Sequence, residues 1–182
     1  MIFATVGTQL PFDRLLSALN DWAAAHPDHP VIAQTGITTA SYPHLTCHIH
    51  LDQAGFAQQM AQARVIVAHA GMGTILSAAE AGKPVILMPR RAAFGEHRND
   101  HQLATAAEMA VLSNVTVIED ARDLAPALAT TLATAQTTTD TAEPLLAAAA
   151  SPRLLETLKD FIWRDEPRPA RVPPMIRGRV RA

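Results

Sequence analysis

Short apolar runs rich in β-branched residues alternate along the chain with stretches whose apolar residues recur at helical spacing. The runs occupy residues 2–6, 31–34, 46–51, 65–68, 85–88 and 115–118. Their length and composition are typical of strands. Between them, apolar residues lie three or four positions apart, as Leu15, Leu19 and Trp22 do. This alternation predicts an α/β fold, a doubly wound, Rossmann-like parallel sheet of about six strands over residues 1–135.

The character of the chain changes after this domain. A composition rich in Ala and Thr begins at Ala129, and it predicts a linker over residues 136–151. Residues 152–163 open with a proline and carry an apolar stripe, which indicates an amphipathic helix. Residues 164–182 mix prolines with arginines and predict a basic, flexible tail, because such a composition packs no core.

Charge and composition narrow the possible functions. The 182 residues carry a net charge of −2, but the tail has six arginines against one Asp and one Glu, a net charge of +4, which leaves the rest of the chain at −6. This acidic body argues against nucleic acid as a partner. The apolar runs are too short to cross a membrane, and the N-terminus does not look like a secretory signal. Cys47 is the only cysteine, so no internal disulfide is expected and a cytoplasmic location is the expectation.

Two glycine-containing turns follow predicted strands. The first strand ends at Gly7 and Thr8, and the fourth ends near His69, with residues 71–74 opening the next helix. Glycine lets the backbone approach a ligand, and the free amides of a helix start attract anions. The second turn therefore predicts a cradle for a diphosphate. For Gly7, a tight turn that needs glycine only for packing is the alternative.

The same glycines permit a second interpretation. Gly71 and Gly73 could belong to a dinucleotide fingerprint, with Arg90 and Arg91 binding the 2′-phosphate of NADP. The third glycine of that fingerprint is missing, because position 76 is Leu. The fingerprint also belongs on the first strand of such a domain, where this chain has only Gly7.

A polar segment, residues 95–102, follows the fifth predicted strand. Five of its eight residues are charged or histidine, so the segment faces water or a hydroxyl-rich ligand. A solvated helix start capped by Asn99 or Asp100 is the simpler alternative. His97 and His101 are four residues apart, but zinc requires at least a third ligand, so no metal site is expected. The sequence contains neither D-x-D nor a P-loop, which argues against a metal-bridged sugar nucleotide and against a nucleoside triphosphatase.

Taken together, these motifs resemble the C-terminal domain of glycosyltransferase family 28. The resemblance covers about residues 1–132 and rests on five segments in the same order: residues 5–8, 69–76, 82–85, 88–91 and 95–102. It is strongest to stand-alone catalytic subunits: that of the two-part UDP-N-acetylglucosamine transferase of asparagine-linked glycosylation, and the glycosyltransferase subunits of bacterial exopolysaccharide synthesis.

The resemblance implies an enzyme that binds a UDP-sugar and transfers the sugar, with inversion, to a lipid-linked acceptor. It implies the donor lobe of a GT-B glycosyltransferase, with no metal or other cofactor. A second, membrane-associated subunit would bind the acceptor, since 182 residues are too few for two lobes. That partner would hold the chain at the cytoplasmic face of the membrane. The basic tail would contact the partner or anionic lipid.

The resemblance also assigns residues. At the donor diphosphate it places Gly7, Thr8, Gly71, Met72, Gly73 and Thr74. It places Ser77 at the ribose, where relatives often carry a glutamate; here the glutamate is Glu80, about one turn later. With the transferred sugar it places Glu96, Asp100, His101 and Gln102, with His69 and Arg90 nearby. It assigns no catalytic base.

Two further functional hypotheses remain open from the sequence. A non-catalytic adaptor could keep the fold and use the tail for interaction; it would bind no nucleotide. A sugar-nucleotide epimerase shares the fold but needs both lobes in one chain, so the length argues against it.

Overall fold

The computed structural model describes residues 1–137, in which strands and helices alternate as the sequence predicts. The elements are β1 (Ile2–Thr5), α1 (Asp13–Ala25), β2 (Val31–Gln34), β3 (Thr46–His48), α2 (Gln53–Gln62), β4 (Val65–His69), α3 (Met72–Glu80), β5 (Val85–Met88), α4 (His101–Met109), β6 (Val115–Val117) and α5 (Leu124–Thr137). Two short 3-10 helices cover Ala92–Phe94 and Ala121–Asp123. All six predicted strands are present, and the predicted α/β fold is confirmed.

The six strands form one parallel sheet in the order β3-β2-β1-β4-β5-β6. The central strand β1 pairs with β2 on one side and β4 on the other, so that Ile2 lies opposite both Val31 and Val65. From β1 the chain continues to β2 and β3 on one side, and it then crosses back to place β4, β5 and β6 on the other side. Ligands of such sheets bind at this reversal, outside the carboxyl ends of the strands. The turns after β1 and β4 meet there.

Each face of the sheet is covered by its own hydrophobic core. Ile2 and Ala4 of β1 pack with residues of α1 and α5, whereas Phe3 packs with α2 and α3 on the opposite face. All three are fully buried. Because successive residues of a strand point to opposite faces, a strand buried on both sides is apolar along most of its length. Two covered faces therefore hold the strand ends, and the turns that follow them, in place.

The described part of the chain ends with α5, which continues past Ala129 to Thr137. The stretch where the composition first turns to Ala and Thr is thus helical. Most of the linker predicted over residues 136–151, the helix predicted over 152–163 and the tail over 164–182 lie outside the described residues. Within residues 1–137, no helix has the length and apolar character needed to span a bilayer.

Candidate functional site

A cleft of about 300 Å³ lies at the carboxyl ends of the central strands. Its walls come from the turn after β1, the turn between β4 and α3, and the segment that links β5 to α4. The lining residues are Val6, Gly7, Thr8, Gln9, Leu10, His69, Ala70, Gly71, Met72, Arg90, His97, His101, Gln102 and Thr105. The cleft therefore occupies the position that the strand order predicts for a ligand.

The imidazole of His69 lies between the two glycine turns. A Cβ atom added to Gly71 would overlap the His69 Nε2 atom and lie 2.8 Å from Cε1. A Cβ atom added to Gly7 would lie 3.0 Å from the same Cε1, and Gly7 also has a positive φ of 75°. The ring thus excludes a side chain at Gly71, whereas Gly7 is favoured by its positive φ and by the tight contact with the ring.

His69 is held as a neutral imidazole. Burial, and second the positive charge of Arg90, lowers the pKa of His69 to about 4. Part of the residue is exposed to solvent, but protein atoms surround the ring closely on the floor of the cleft. This close packing explains why burial lowers the pKa so strongly. Its Nδ1 lies 3.4 Å from the carbonyl oxygen of Thr5. If Nδ1 carries the proton, Nε2 is left as a hydrogen-bond acceptor.

Helix α3 begins directly beside His69. Gly71 is its N-cap residue, has extended backbone, and no side chain caps the helix. The first N–H groups of an α-helix have no partner within the helix, and with the helix dipole they attract anions. Gly73 and Thr74 belong to this first turn, and Thr74 is buried. The helix start and the two glycine turns together suit an anionic ligand such as a diphosphate.

Arg90, which follows β5, is buried and is used by the protein itself. Its guanidinium donates to the carbonyl oxygens of Val6 (2.6 Å), Leu10 (2.7 Å), Pro11 (2.7 Å) and Glu96 (3.0 Å). Only 3% of the residue is exposed. Such a side chain is not free to bind the 2′-phosphate of NADP, and Arg91 is paired with Glu119 at 2.9 Å. The structure gives no support to the NADP interpretation.

Glu96 is also committed to contacts within the protein. Both of its carboxylate oxygens accept from Arg14, at 2.7 and 2.9 Å, and one also accepts from the backbone N–H of Arg91. Arg14 further donates to the carbonyl oxygens of Pro89 and Glu119. Glu96 does not line the cleft. The side chain expected at the sugar instead ties the segment after β5 to the start of α1.

The remaining polar residues of this segment divide into two groups. Gln102 is buried, lines the cleft, and its side-chain oxygen accepts from the backbone N–H of Arg90 at 3.1 Å. His101 lines the cleft, and its Nδ1 atom contacts the side-chain oxygen of Asn99. The other ring nitrogen, Nε2, is left for a ligand. Asp100 lies outside the lining, where its carboxylate accepts from the backbone N–H of Ala92 at 2.8 Å. Asp100 is the N-cap residue of α4, but its side chain makes no capping bond.

His97 and His101 lie edge to face, with ring centroids 4.5 Å apart. Across residues 1–137 no group of three or more His, Cys, Asp or Glu side chains is placed to hold a metal ion.

The structure thus sorts the residues expected at the site. The cleft is lined by Gly7, Thr8, His69, Gly71, Met72, Arg90, His101 and Gln102. Outside the lining lie Gly73, Thr74, Ser77, Glu96 and Asp100. Of these, Ser77 lies on α3 about one turn beyond Gly73 and is half-buried.

The predicted site residues did not include several residues that line the cleft, among them Gln9, His97 and Thr105, nor Arg14, which binds Glu96. Arg14 is a charged residue on the polar side of an amphipathic helix. Its neighbours in the sequence do not predict the hydrogen bond to Glu96, which is 82 positions away. Thr105 lies one helical turn after His101 on α4. That spacing places both residues on one face of the helix, which is a signal that could have indicated Thr105.

The loop after β2 is fastened to α1 near the same edge of the sheet. The Asp13 carboxylate accepts from the hydroxyls of Thr38 (2.6 Å) and Tyr42 (2.7 Å). Burial, together with the hydrogen bond to Asp13, raises the pKa of Tyr42 to about 12. The neutral phenol is therefore the form that the folded protein favours.

Comparison with known sequences identifies one family. The profile described as "Glycosyltransferase family 28 C-terminal domain" matches residues 1–156. No curated protein matches the chain significantly.

Solved structures share the fold at low identity. MurG of Acinetobacter baumannii superposes with a TM-score of 0.58 at 22% identity, over 88% of this chain and 48% of MurG. The calicheamicin glycosyltransferase CalG4 gives 0.56 at 16% identity, over 91% and 43%. A Listeria monocytogenes protein described as a UDP-N-acetylglucosamine 2-epimerase gives 0.58 at 14% identity, over 92% and 46%. This chain spans less than half the length of each of these proteins.

Proposed function

Because the chain belongs to the family of glycosyltransferase family 28 C-terminal domains, we propose that it is the UDP-sugar-binding catalytic subunit of a two-component inverting glycosyltransferase. Its acceptor is lipid-linked, and its product enters a polysaccharide or glycan such as an exopolysaccharide. The observation that carries this proposal is the cleft between the Gly7 turn and the uncapped start of α3. Backbone amides that are not used within a helix suit the diphosphate of a nucleotide sugar.

The proposed enzyme has a second component besides this chain. The solved structures with this fold are more than twice as long as the part of them that this chain covers. A second, membrane-associated subunit would supply the acceptor-binding half. The cleft would then be closed on its open side by that subunit, at the cytoplasmic face of the membrane.

The proposed reaction breaks the bond between C1 of the sugar and the β-phosphate oxygen of UDP. The acceptor hydroxyl attacks C1 from the opposite side and forms the new glycosidic bond. Its proton passes to a base on the acceptor-binding subunit. UDP leaves with the electron pair of the broken bond. The amides at the start of α3 would stabilise this added charge, since preorganised donors act most strongly where charge develops in the transition state.

Binding of UDP by the full chain is the first test. Calorimetric titration should detect UDP, and Gly73→Asp should abolish the binding, because a carboxylate in the first turn of α3 repels the diphosphate. Ala57→Asp adds the same charge at an exposed position of α2 and is the matched control. No binding of UDP at millimolar concentration would count against a donor site, and binding of NADPH instead would favour a dinucleotide protein.

Transfer is the second test. Radiolabel from UDP-N-acetylglucosamine, UDP-glucose or UDP-glucuronic acid should enter a lipid extract only when the full chain is added to membranes from a strain that lacks it. Gly73→Asp should prevent this incorporation. Label that enters lipid equally well without the chain, or with the variant, would contradict the proposal.

A further inference from the structure

Arg90 makes a set of contacts that joins two walls of the cleft. Three of the carbonyls that its guanidinium binds belong to Val6, Leu10 and Pro11, which flank the turn after β1. The fourth belongs to Glu96, in the segment after β5. The sequence separation between Arg90 and the turn is about 80 residues. A single buried side chain thus spans the two segments.

The environment of Arg90 suits a structural anchor more than a ligand contact. The guanidinium carbon lies 4.8 Å from the centroid of the Phe12 ring, so one face of the group is covered. The nearby Glu96 carboxylate bonds to Arg14 rather than to Arg90. Burial lowers the pKa of the Arg90 guanidinium. The cost of burying this cation is offset by four hydrogen bonds to carbonyls, which are stronger because the donor is charged.

The contacts also constrain the peptide groups of the turn. In a trans peptide the C=O and the next N–H point in opposite directions. Because the Val6 carbonyl points at Arg90, the N–H of Gly7 points away from the guanidinium. No peptide bond in the described residues is cis. Arg90 therefore sets how the backbone of the Gly7 turn presents its amide.

We propose that Arg90 is a positioning residue that holds the backbone of residues 6–11 against the segment after β5, so that this wall of the cleft is formed before the nucleotide binds. The proposal rests on the proposed function only in taking that nucleotide to be a uridine diphosphate. The planar fork of arginine is what reaches several carbonyls at once. Lysine carries the same charge on a single ammonium and cannot reproduce that fork.

The test compares Arg90→Lys with the unchanged full chain, and with Arg122→Lys as a control at an exposed pair. Backbone ¹⁵N relaxation without nucleotide should show lower order parameters over residues 6–10 in Arg90→Lys and no change in the control. The affinity for UDP should fall at least tenfold in Arg90→Lys alone. Unchanged order parameters over residues 6–10 would overturn the proposal. So would weaker UDP binding without any change in these order parameters, because Arg90 would then contact the ligand itself.

If the unchanged chain does not bind UDP, the proposed function fails, but the order parameters still decide whether Arg90 positions the turn. If Arg90→Lys does not fold, the unchanged chain serves alone. Before any nucleotide is added, the order parameters of residues 7–10 should be those of a rigid backbone, about 0.85, and values below about 0.6 would overturn the proposal.

Discussion

The imidazole of His69 occupies the space that a side chain on Gly71 would need. The two residues are separated by one position, and the backbone N–H of Gly71 donates to the carbonyl of His69 at 2.8 Å. This tight turn brings the start of α3 to the floor of the cleft. The local sequence explains Gly71 only by the flexibility of glycine, whereas the structure shows that the His69 ring leaves no room for a side chain there.

Replacing Gly71 by alanine should therefore damage both stability and binding. The added methyl group must displace the ring or the helix start, at a cost of about 1–3 kcal/mol in the free energy of unfolding. The affinity for UDP should fall at least tenfold. Denaturant unfolding and calorimetry measure the two effects. In the background of His69→Ala, where the overlap is absent, Gly71→Ala should cost much less stability; an equal cost in both backgrounds would show that the ring is not the cause.

His69 should titrate far below an ordinary histidine. Proton NMR of the full chain, with the His69 signal assigned by its loss in His69→Gln, should give a pKa of about 4. Because this lies below the ordinary value of 6.5, the unfolded chain takes up the proton first. The contribution to stability is thus complete above pH 6.5 and is lost as the pH falls towards 4. Arg90→Met should raise the pKa of His69, since it removes a nearby positive charge; a pKa near 6.5 in the unchanged chain would contradict this account.

The Arg14–Glu96 pair should contribute measurably to stability. It is bidentate, and the side chains are only 20% and 8% exposed. Arg14→Met or Glu96→Gln should each cost about 1.5–3 kcal/mol in the free energy of unfolding, because each leaves a partly buried charge without its partner. A double-mutant cycle isolates the coupling. The exposed Arg122–Asp120 pair is the control and should show a much smaller coupling. Equal couplings for the two pairs would show that Glu96 is not the tie between these segments.

Tyr42 offers a direct probe of the loop after β2, because it is the only tyrosine in the chain. Ultraviolet titration should show tyrosinate forming at a pKa of about 12. Since this is above the ordinary value of 10, the associated stability is present below pH 10 and is lost as the pH rises towards 12. Asp13→Asn should move the pKa back towards 10, whereas Asp21→Asn, on the same helix, should leave it unchanged. An ordinary pKa in the unchanged chain would mean that the phenol is free in solution.

The central strands were predictable because they are buried on both faces and their sequences are nearly continuous apolar runs, such as Val85–Met88. Gly7 and Gly71 were predictable at the carboxyl edge of the sheet because each follows the end of a predicted strand, and both line the cleft. The partners of Arg90 and Glu96 were not. Both side chains bond to groups about 80 residues away, and that proximity exists only after the sheet has formed. The sequence correctly predicted that these residues lie at the carboxyl edge of the sheet. It could not distinguish a side chain that contacts a ligand from one that bonds to another part of the protein.

The pairing of β1 with both β2 and β4 also sets the order in which the sheet can form while the chain is being synthesised. Ile2 can meet Val31 early in synthesis, but its other neighbour, Val65, emerges only after about 60 residues have been made. Until then the Gly7 turn has no opposite wall, and Arg90 and Gln102, which complete the cleft, follow later still. Competence to hold a ligand therefore arises late in synthesis. A nascent chain that binds has already paired β1 with β4 and placed the segment after β5, so ligand capture reports folding across the centre of the sheet.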